Sequence, residues 1–167
     1  ANLDYTLLNS VDPSYDVPDA YKMVTVLTVD GRVVNGIIAE EDDARIYRGY
    51  AERLRTDFPE SAKVFDGMAA EEDEHRRRLI ELHKKRFGDT IPLIRREHVA
   101  GFYARRPVWL IENLGVERIR DEAAAMEREA EHFYLKAAAQ TTDAATRKLL
   151  GSLAAAEAVV DLEVAFD

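Results

Sequence analysis

The sequence predicts an all-α protein whose core is a four-helix bundle, preceded by a short segment of different character. Apolar residues recur at alternating steps of three and four along four separate stretches, which is the pattern of amphipathic helices. One connection, over residues 88–114, is long enough to cross the end of a bundle. The chain has 167 residues, 47% of them hydrophobic and 33% charged, so its size and composition fit one globular domain.

Residues 1–32 are predicted to form a separate N-terminal segment. Residues 23–29 are rich in β-branched side chains, and Asp30-Gly31 separates them from two further valines. An Asp-Gly pair between two such runs is typical of a β-hairpin, so the sequence predicts a hairpin over residues 23–34. Because a lone hairpin is only marginally stable in water, this one would have to pack against the bundle.

Residues 33–167 are predicted to form the helical domain. Residues 56–61 end the first helix and start the second, and Gly88 and Pro92 mark the end of the second. Thr141-Thr142-Asp143 offers an N-cap to the fourth helix, after the third has ended. The four predicted helices cover residues 33–55, 61–86, 115–140 and 143–160.

Composition and charge exclude several classes of function. The formal net charge is −9, and binding to nucleic-acid phosphates requires a basic surface instead. The chain has no cysteine, which excludes a disulfide scaffold, an iron–sulfur cluster and a thiol nucleophile. No stretch approaches the ~20 consecutive apolar residues of a membrane-spanning helix.

Four glutamates and one histidine interrupt the apolar stripes where side chains should face the bundle core. These residues are Glu40, Glu72, His75, Glu127 and Glu157. An unpaired carboxylate in a core is strongly destabilising, whereas a bound cation removes that penalty. A glutamate from each of two helices, with Glu-x-x-His from the others, is the ligand set of di-iron and di-manganese bundles. The pattern therefore predicts a metal centre of iron or manganese.

Each of these residues also has a simpler interpretation when taken alone. Residues 40–43 could be a solvated acidic run near a helix start, where the helix dipole favours negative charge. Glu72 with His75 could be a surface pair, and Glu127 could be one of several exposed glutamates. Glu157 fits a surface poorly, because it lies between two alanines on an apolar helix.

The two halves of the chain repeat each other. The same spacing separates Glu40 from Glu127 and Tyr47 from Tyr134, which favours a pseudo-symmetric bundle. The tyrosines are either core aromatics or hydrogen-bond donors to the carboxylate one or two turns earlier on their own helix. Surface positions are predicted for the other three histidines, His83, His98 and His132.

Several longer motifs resemble a known family. They are EEDDARIY at 40–47, MAAEEDEHR at 68–76, PVWL at 107–110 and MEREAEHFY at 126–134. Through them, residues from about 39 to 158 resemble the ferritin-like domain of the rubrerythrin group. The likeness is strongest to membrane-bound ferritin, the erythrin–vacuolar iron transporter family. The first 38 residues do not share it.

The resemblance implies a ferritin-like four-helix bundle with a long crossover between helices two and three. It implies two iron ions, or manganese in their place, bound by the five residues named above. In the family such a centre binds ferrous iron and oxidises it with oxygen or hydrogen peroxide, in iron storage or export and in peroxide defence. The resemblance also implies a homodimer in the cytoplasm, joined in the family to a membrane transporter domain that this sequence does not include.

One departure from the family pattern concerns the fourth helix. The family carries a second Glu-x-x-His there, but the position three residues after Glu157 is Val160. The sequence therefore predicts two unequal metal positions, the tighter one holding His75. Glu129 is a reserve ligand on helix three. The rival hypothesis is a bundle that has lost its metal and acts as an interaction or structural module.

Overall fold

A computed structural model describes residues 29–90 and 114–158 of the chain. Nearly all of this part is helical, and it includes no strand, which confirms the predicted all-α, four-helix fold. The helices are α1 Val29–Leu54, α2 Pro59–Phe87, α3 Val116–Ala139 and α4 Ala144–Glu157. The connection between α2 and α3 includes residues 91–113, which lie outside the described part, as do His98 and Val160.

The helix ends follow from local chemistry. Pro59 occupies the first position of α2, where the backbone N–H that proline lacks would have no helical partner anyway. Gly88 ends α2 with a φ of 93°, a left-handed conformation that glycine adopts without strain. The carboxylate of Asp143 caps α4 by accepting a hydrogen bond from the backbone N–H of Thr146 at 2.6 Å.

The β-hairpin predicted over residues 23–34 is wrong in its second half, because α1 already begins at Val29. Asp30-Gly31 lies inside this helix rather than at a turn. Val33 is fully buried and packs in a cluster with Leu79, so helical burial outweighs the local preference for a turn. The first predicted strand, residues 23–28, lies outside the described residues.

Helices α1 and α2 form one closely packed pair, and α3 and α4 form the other. Their buried side chains make two apolar clusters. One includes Tyr50, Phe65 and Ile119, and the other includes Leu79 and Leu150. None of the helices in the described part of the chain combines the length and apolar character that a membrane span requires.

Candidate metal centre

The five residues predicted as metal ligands are all buried, and none is more than 8% exposed. On α1, Glu40 lies between Ile37 of one apolar cluster and Ile46 of the other. Glu72 lies in the same way on α2, between Ala69 and Leu79. The polar residues therefore form a layer between two apolar clusters, in which charges are poorly screened by water.

Four of the five residues converge on one point. One ligand atom from each of Glu40, Glu72, His75 and Glu157 lies within 4.8 Å of the others. These residues come from α1, α2 and α4, so folding of the bundle is needed to assemble the group. The spread is small enough for a single cation to contact all four side chains.

His75 directs its Nδ1 atom into this group. Nδ1 lies 3.1 Å from Oε1 of Glu157, 3.2 Å from Oε2 of Glu72 and 3.7 Å from Oε2 of Glu40. Glu72 and His75 face the same way because residues three apart share a face of an α-helix. The Nδ1 nitrogen is therefore the atom that could bind a metal here.

Glu127 lies at the edge of the group and is held by a tyrosine. The hydroxyl of Tyr47 donates a hydrogen bond of 2.5 Å to Oε1 of Glu127, and the hydroxyl of Tyr134 donates one to Oε1 of Glu40. Each tyrosine thus donates its hydrogen bond to a glutamate on the other helix. The sequence had predicted a partner on the same helix. Two facts explain this. Each tyrosine lies about 10 Å along the helix axis from the glutamate two turns earlier on its own helix. Because α1 and α3 run antiparallel, the tyrosine of one helix lies level with the glutamate of the other.

Burial governs the proton affinities of the centre. It raises the pKa of Glu72 to about 10, and a hydrogen bond to Glu40 adds to the effect. It also raises the pKa of Glu127 to about 10, helped by Glu157. Burial alone would lower the pKa of His75, but its hydrogen bonds to Glu157, Glu40 and Glu72 outweigh burial and raise that pKa to about 12. Close carboxylates in a dry layer therefore retain protons unless a cation replaces them.

The hydrogen bonding of two buried carboxylate oxygens bears on whether these residues fit a metal ion. Oε2 of Glu127 is buried and has no hydrogen-bond partner among the described residues. Oε1 of Glu157 is also buried, and it contacts Nδ1 of His75 at 3.1 Å, an atom that it shares with Glu72. A buried acceptor without a donor costs about 1–3 kcal/mol, and native proteins rarely leave one. A cation would supply the missing partner of the Glu127 oxygen and would also be in reach of the Glu157 oxygen, and a set of carboxylates with one imidazole suits iron or manganese. The residues fit a metal ion, while ligation by each of them stays a prediction.

Neighbouring acidic residues divide between the core and the surface. Asp43 is buried one turn after Glu40, and its charge helps to raise the pKa of Tyr47. The sequence interpretation treated Asp43 as part of a solvated run, and its spacing from Glu40 and Tyr47 was the feature that could have revealed it. Glu41 is exposed, and so is Glu129, which lies away from the centre.

The surface position predicted for His83 is wrong. Its side chain is 1% exposed, and its ring packs 5.2 Å from the ring of Phe87, centroid to centroid. His83 follows Leu79 by one turn and so continues the buried stripe of α2. His132 is exposed, as predicted.

A comparison with protein-family models gives one finding. The model described as Rubrerythrin matches residues 33–159, which include all five predicted ligands and the four helices except the first turn of α1. No curated protein and no solved structure matches the chain.

Proposed function

The chain belongs to the rubrerythrin family, and from that premise we propose that it is a di-iron carboxylate protein that oxidises ferrous iron with oxygen or hydrogen peroxide. The observation that carries this proposal is the buried group of Glu40, Glu72, His75 and Glu157, whose ligand atoms lie within 4.8 Å of one another. Such a group is expensive to bury without a cation, and its chemistry suits iron.

The contacts support a division of roles among the glutamates. Glu72 interacts with Glu40 and with Glu157, and Glu127 interacts with Glu157 and with Glu72. Glu72 and Glu157 are therefore central and would be shared between two ions. Glu40 and Glu127 would each bind one ion, and His75 would complete one of the two positions.

The surrounding residues orient these ligands and keep the centre dry. Tyr47 fixes Glu127 and Tyr134 fixes Glu40, each through its hydroxyl group. Such hydrogen bonds set ligand orientation and commonly change metal affinity by about 10–100-fold. The apolar clusters on either side exclude water.

Two ferrous ions would supply the two electrons of the reaction. With two protons, these electrons reduce oxygen to hydrogen peroxide, or hydrogen peroxide to two molecules of water. Four ionised glutamates carry four negative charges, which balance two ferrous ions. Manganese fits the same ligands. Iron storage or export, peroxide defence, a homodimeric state, a cytoplasmic location and the link to membrane-bound ferritin belong to the proposal and rest on family resemblance alone.

A metal-free structural module is the alternative function, and one observation favours it. His75 contacts three carboxylates, and those contacts raise its pKa to about 12. A protonated His75 beside protonated Glu72 and Glu127 would leave the group with little net charge in the absence of metal. This alternative predicts a bundle that is stable with a chelator present and that gains nothing from added iron.

Oxidation of ferrous iron separates the two functions. Metal-free protein is mixed anaerobically with ferrous iron, then with oxygen or hydrogen peroxide, and the ferric absorption is followed with time. We expect faster oxidation than in buffer, and no acceleration by Glu72→Gln. Glu71→Gln is the matched control, because Glu71 is the exposed neighbour of Glu72 on α2. Equal rates for parent, Glu72→Gln and buffer would contradict the proposal.

A further inference from the structure

Gly36 is buried in the interior of α1, one turn before Glu40. Glycine inside a helix is less stable than alanine, because it loses more backbone freedom on folding. Backbone conformation does not require it here, since the one described glycine with a positive φ is Gly88. A glycine at this place therefore needs another physical reason.

The surroundings of Gly36 supply that reason. A Cβ atom at this position would lie 2.9 Å from Cδ1 of Leu79, 3.3 Å from the hydroxyl oxygen of Tyr134 and 3.4 Å from its Cε1. Leu79 is also fully buried, but the contact is with a methyl at the end of its side chain, which shifts at lower cost than a ring does. The Tyr134 ring has no such freedom, because it is fully buried, packs against the ring of Phe133 and is hydrogen-bonded to Glu40.

We infer that Gly36 is a positioning residue of the metal centre. Its missing side chain leaves the space that the Tyr134 hydroxyl occupies against α1, where that hydroxyl orients Glu40. An alanine would push the hydroxyl away from α1 and weaken its hydrogen bond to Glu40. The inference deepens the proposed function and rests on it for the role of Glu40 in binding metal.

The second half of the chain differs at this point. In the repeat, Ala123 corresponds to Gly36, since it lies one turn before Glu127 as Gly36 lies one turn before Glu40. Ala123 is fully buried on α3, so a methyl group is accommodated on that side. The requirement for glycine is therefore specific to the Tyr134 side of the centre.

Gly36→Ala tests the inference, with Gly49→Ala as the matched control. Gly49 lies on the same helix, and a Cβ there would meet nothing within 4 Å. Gly49→Ala should raise the Tm of the metal-free protein by about 2–4 °C and leave Co²⁺ affinity unchanged. Gly36→Ala should show no such rise, and Co²⁺ titration should give an affinity about 10-fold weaker.

A double-mutant cycle with Tyr134→Phe identifies the path of the effect. Phenylalanine removes the hydroxyl oxygen that the new Cβ would meet, so Gly36→Ala should cause no further loss of Co²⁺ affinity in that background. In the Tyr134→Phe background, Gly36→Ala should also change the Tm more favourably than in the parent, because only the contacts with the Leu79 methyl and the ring carbon remain. Equal losses in both backgrounds, or a Gly36→Ala variant that behaves like Gly49→Ala, would overturn the inference.

Failure of the proposed function has a different signature. If the parent binds no Co²⁺, the metal proposal fails. The Tm values of the metal-free parent, Gly36→Ala, Tyr134→Phe and the double variant still test whether the Tyr134 hydroxyl needs the space beside Gly36. A Gly36→Ala Tm that rises in the parent background as much as in Tyr134→Phe would show that the hydroxyl does not need the space.

Discussion

Replacing Glu72 by glutamine should change how the stability of the metal-free protein depends on pH. Burial, with a hydrogen bond to Glu40, raises the pKa of Glu72 to about 10 from its ordinary 4.5. Between these values the folded protein holds a proton at Glu72 that the unfolded chain has released. The free energy of unfolding therefore falls as pH rises, by up to about 1.4 kcal/mol per pH unit for this group.

From about pH 5 to about pH 8, this group alone removes up to roughly 4 kcal/mol from the stability of the parent. For a chain of this size, the corresponding fall in Tm is about 8–16 °C. Glutamine has nearly the shape of a protonated glutamic acid but cannot ionise, so the Tm of Glu72→Gln should fall less steeply. A residual slope remains, because the raised pKa values of Glu127 and His75 act in the same direction.

The assay is thermal unfolding with a chelator present, across that pH range. Glu71→Gln is the control, because Glu71 lies on the same helix but is exposed, and its slope should equal that of the parent. A Glu72→Gln variant whose Tm falls with pH as steeply as that of the parent would refute the assignment of Glu72 as a buried, protonated carboxyl. Saturating metal should abolish the slope in the parent, because it replaces the proton.

Three further predictions concern ligation and packing. Glu127→Gln should weaken Co²⁺ binding at least about 10-fold in a titration, while Glu129→Gln, at an exposed position of the same helix, should bind like the parent; equal affinities would remove Glu127 from the ligand set. Val160→His should raise occupancy of the weaker metal position at sub-saturating metal, measured as the affinity of that position in a titration, because it supplies the Glu-x-x-His spacing; an unchanged affinity would show that residue 160 does not face the site. Leu79→Ala should lower stability to denaturant by about 2–5 kcal/mol, because Leu79 is fully buried, whereas Leu135→Ala, at a half-exposed position, should cost under about 0.5 kcal/mol; similar losses for both would contradict the packing.

The sequence predicted those parts of the centre that depend on spacing along one helix. Glu72 and His75 share a face by helical geometry, and Glu157 among alanines was difficult to place on a surface. The helices themselves followed from long stripes of period three and four, which are a robust pattern. The two internally repeated halves then indicated which glutamates belong together.

Other features depend on how helices lie against each other, and no spacing along one helix contains that information. Tyr47 reaches Glu127 because α1 and α3 run antiparallel at the same level. The start of α1 was missed because Asp30-Gly31 has strong local turn preference, which packing of the helix overrides. His83 was missed because histidine is more often exposed than buried, although it continues the buried stripe of Leu79.

The central claim is that the buried carboxylate–histidine group binds two iron ions. Its most direct test is the number of ferrous ions that the metal-free parent binds per chain in an anaerobic titration. We predict two per chain for the parent and Glu71→Gln, with strong loss in Glu72→Gln, because a shared carboxylate serves both ions. A parent that binds no more ferrous iron than Glu72→Gln would contradict the claim and favour the alternative function, a metal-free structural module.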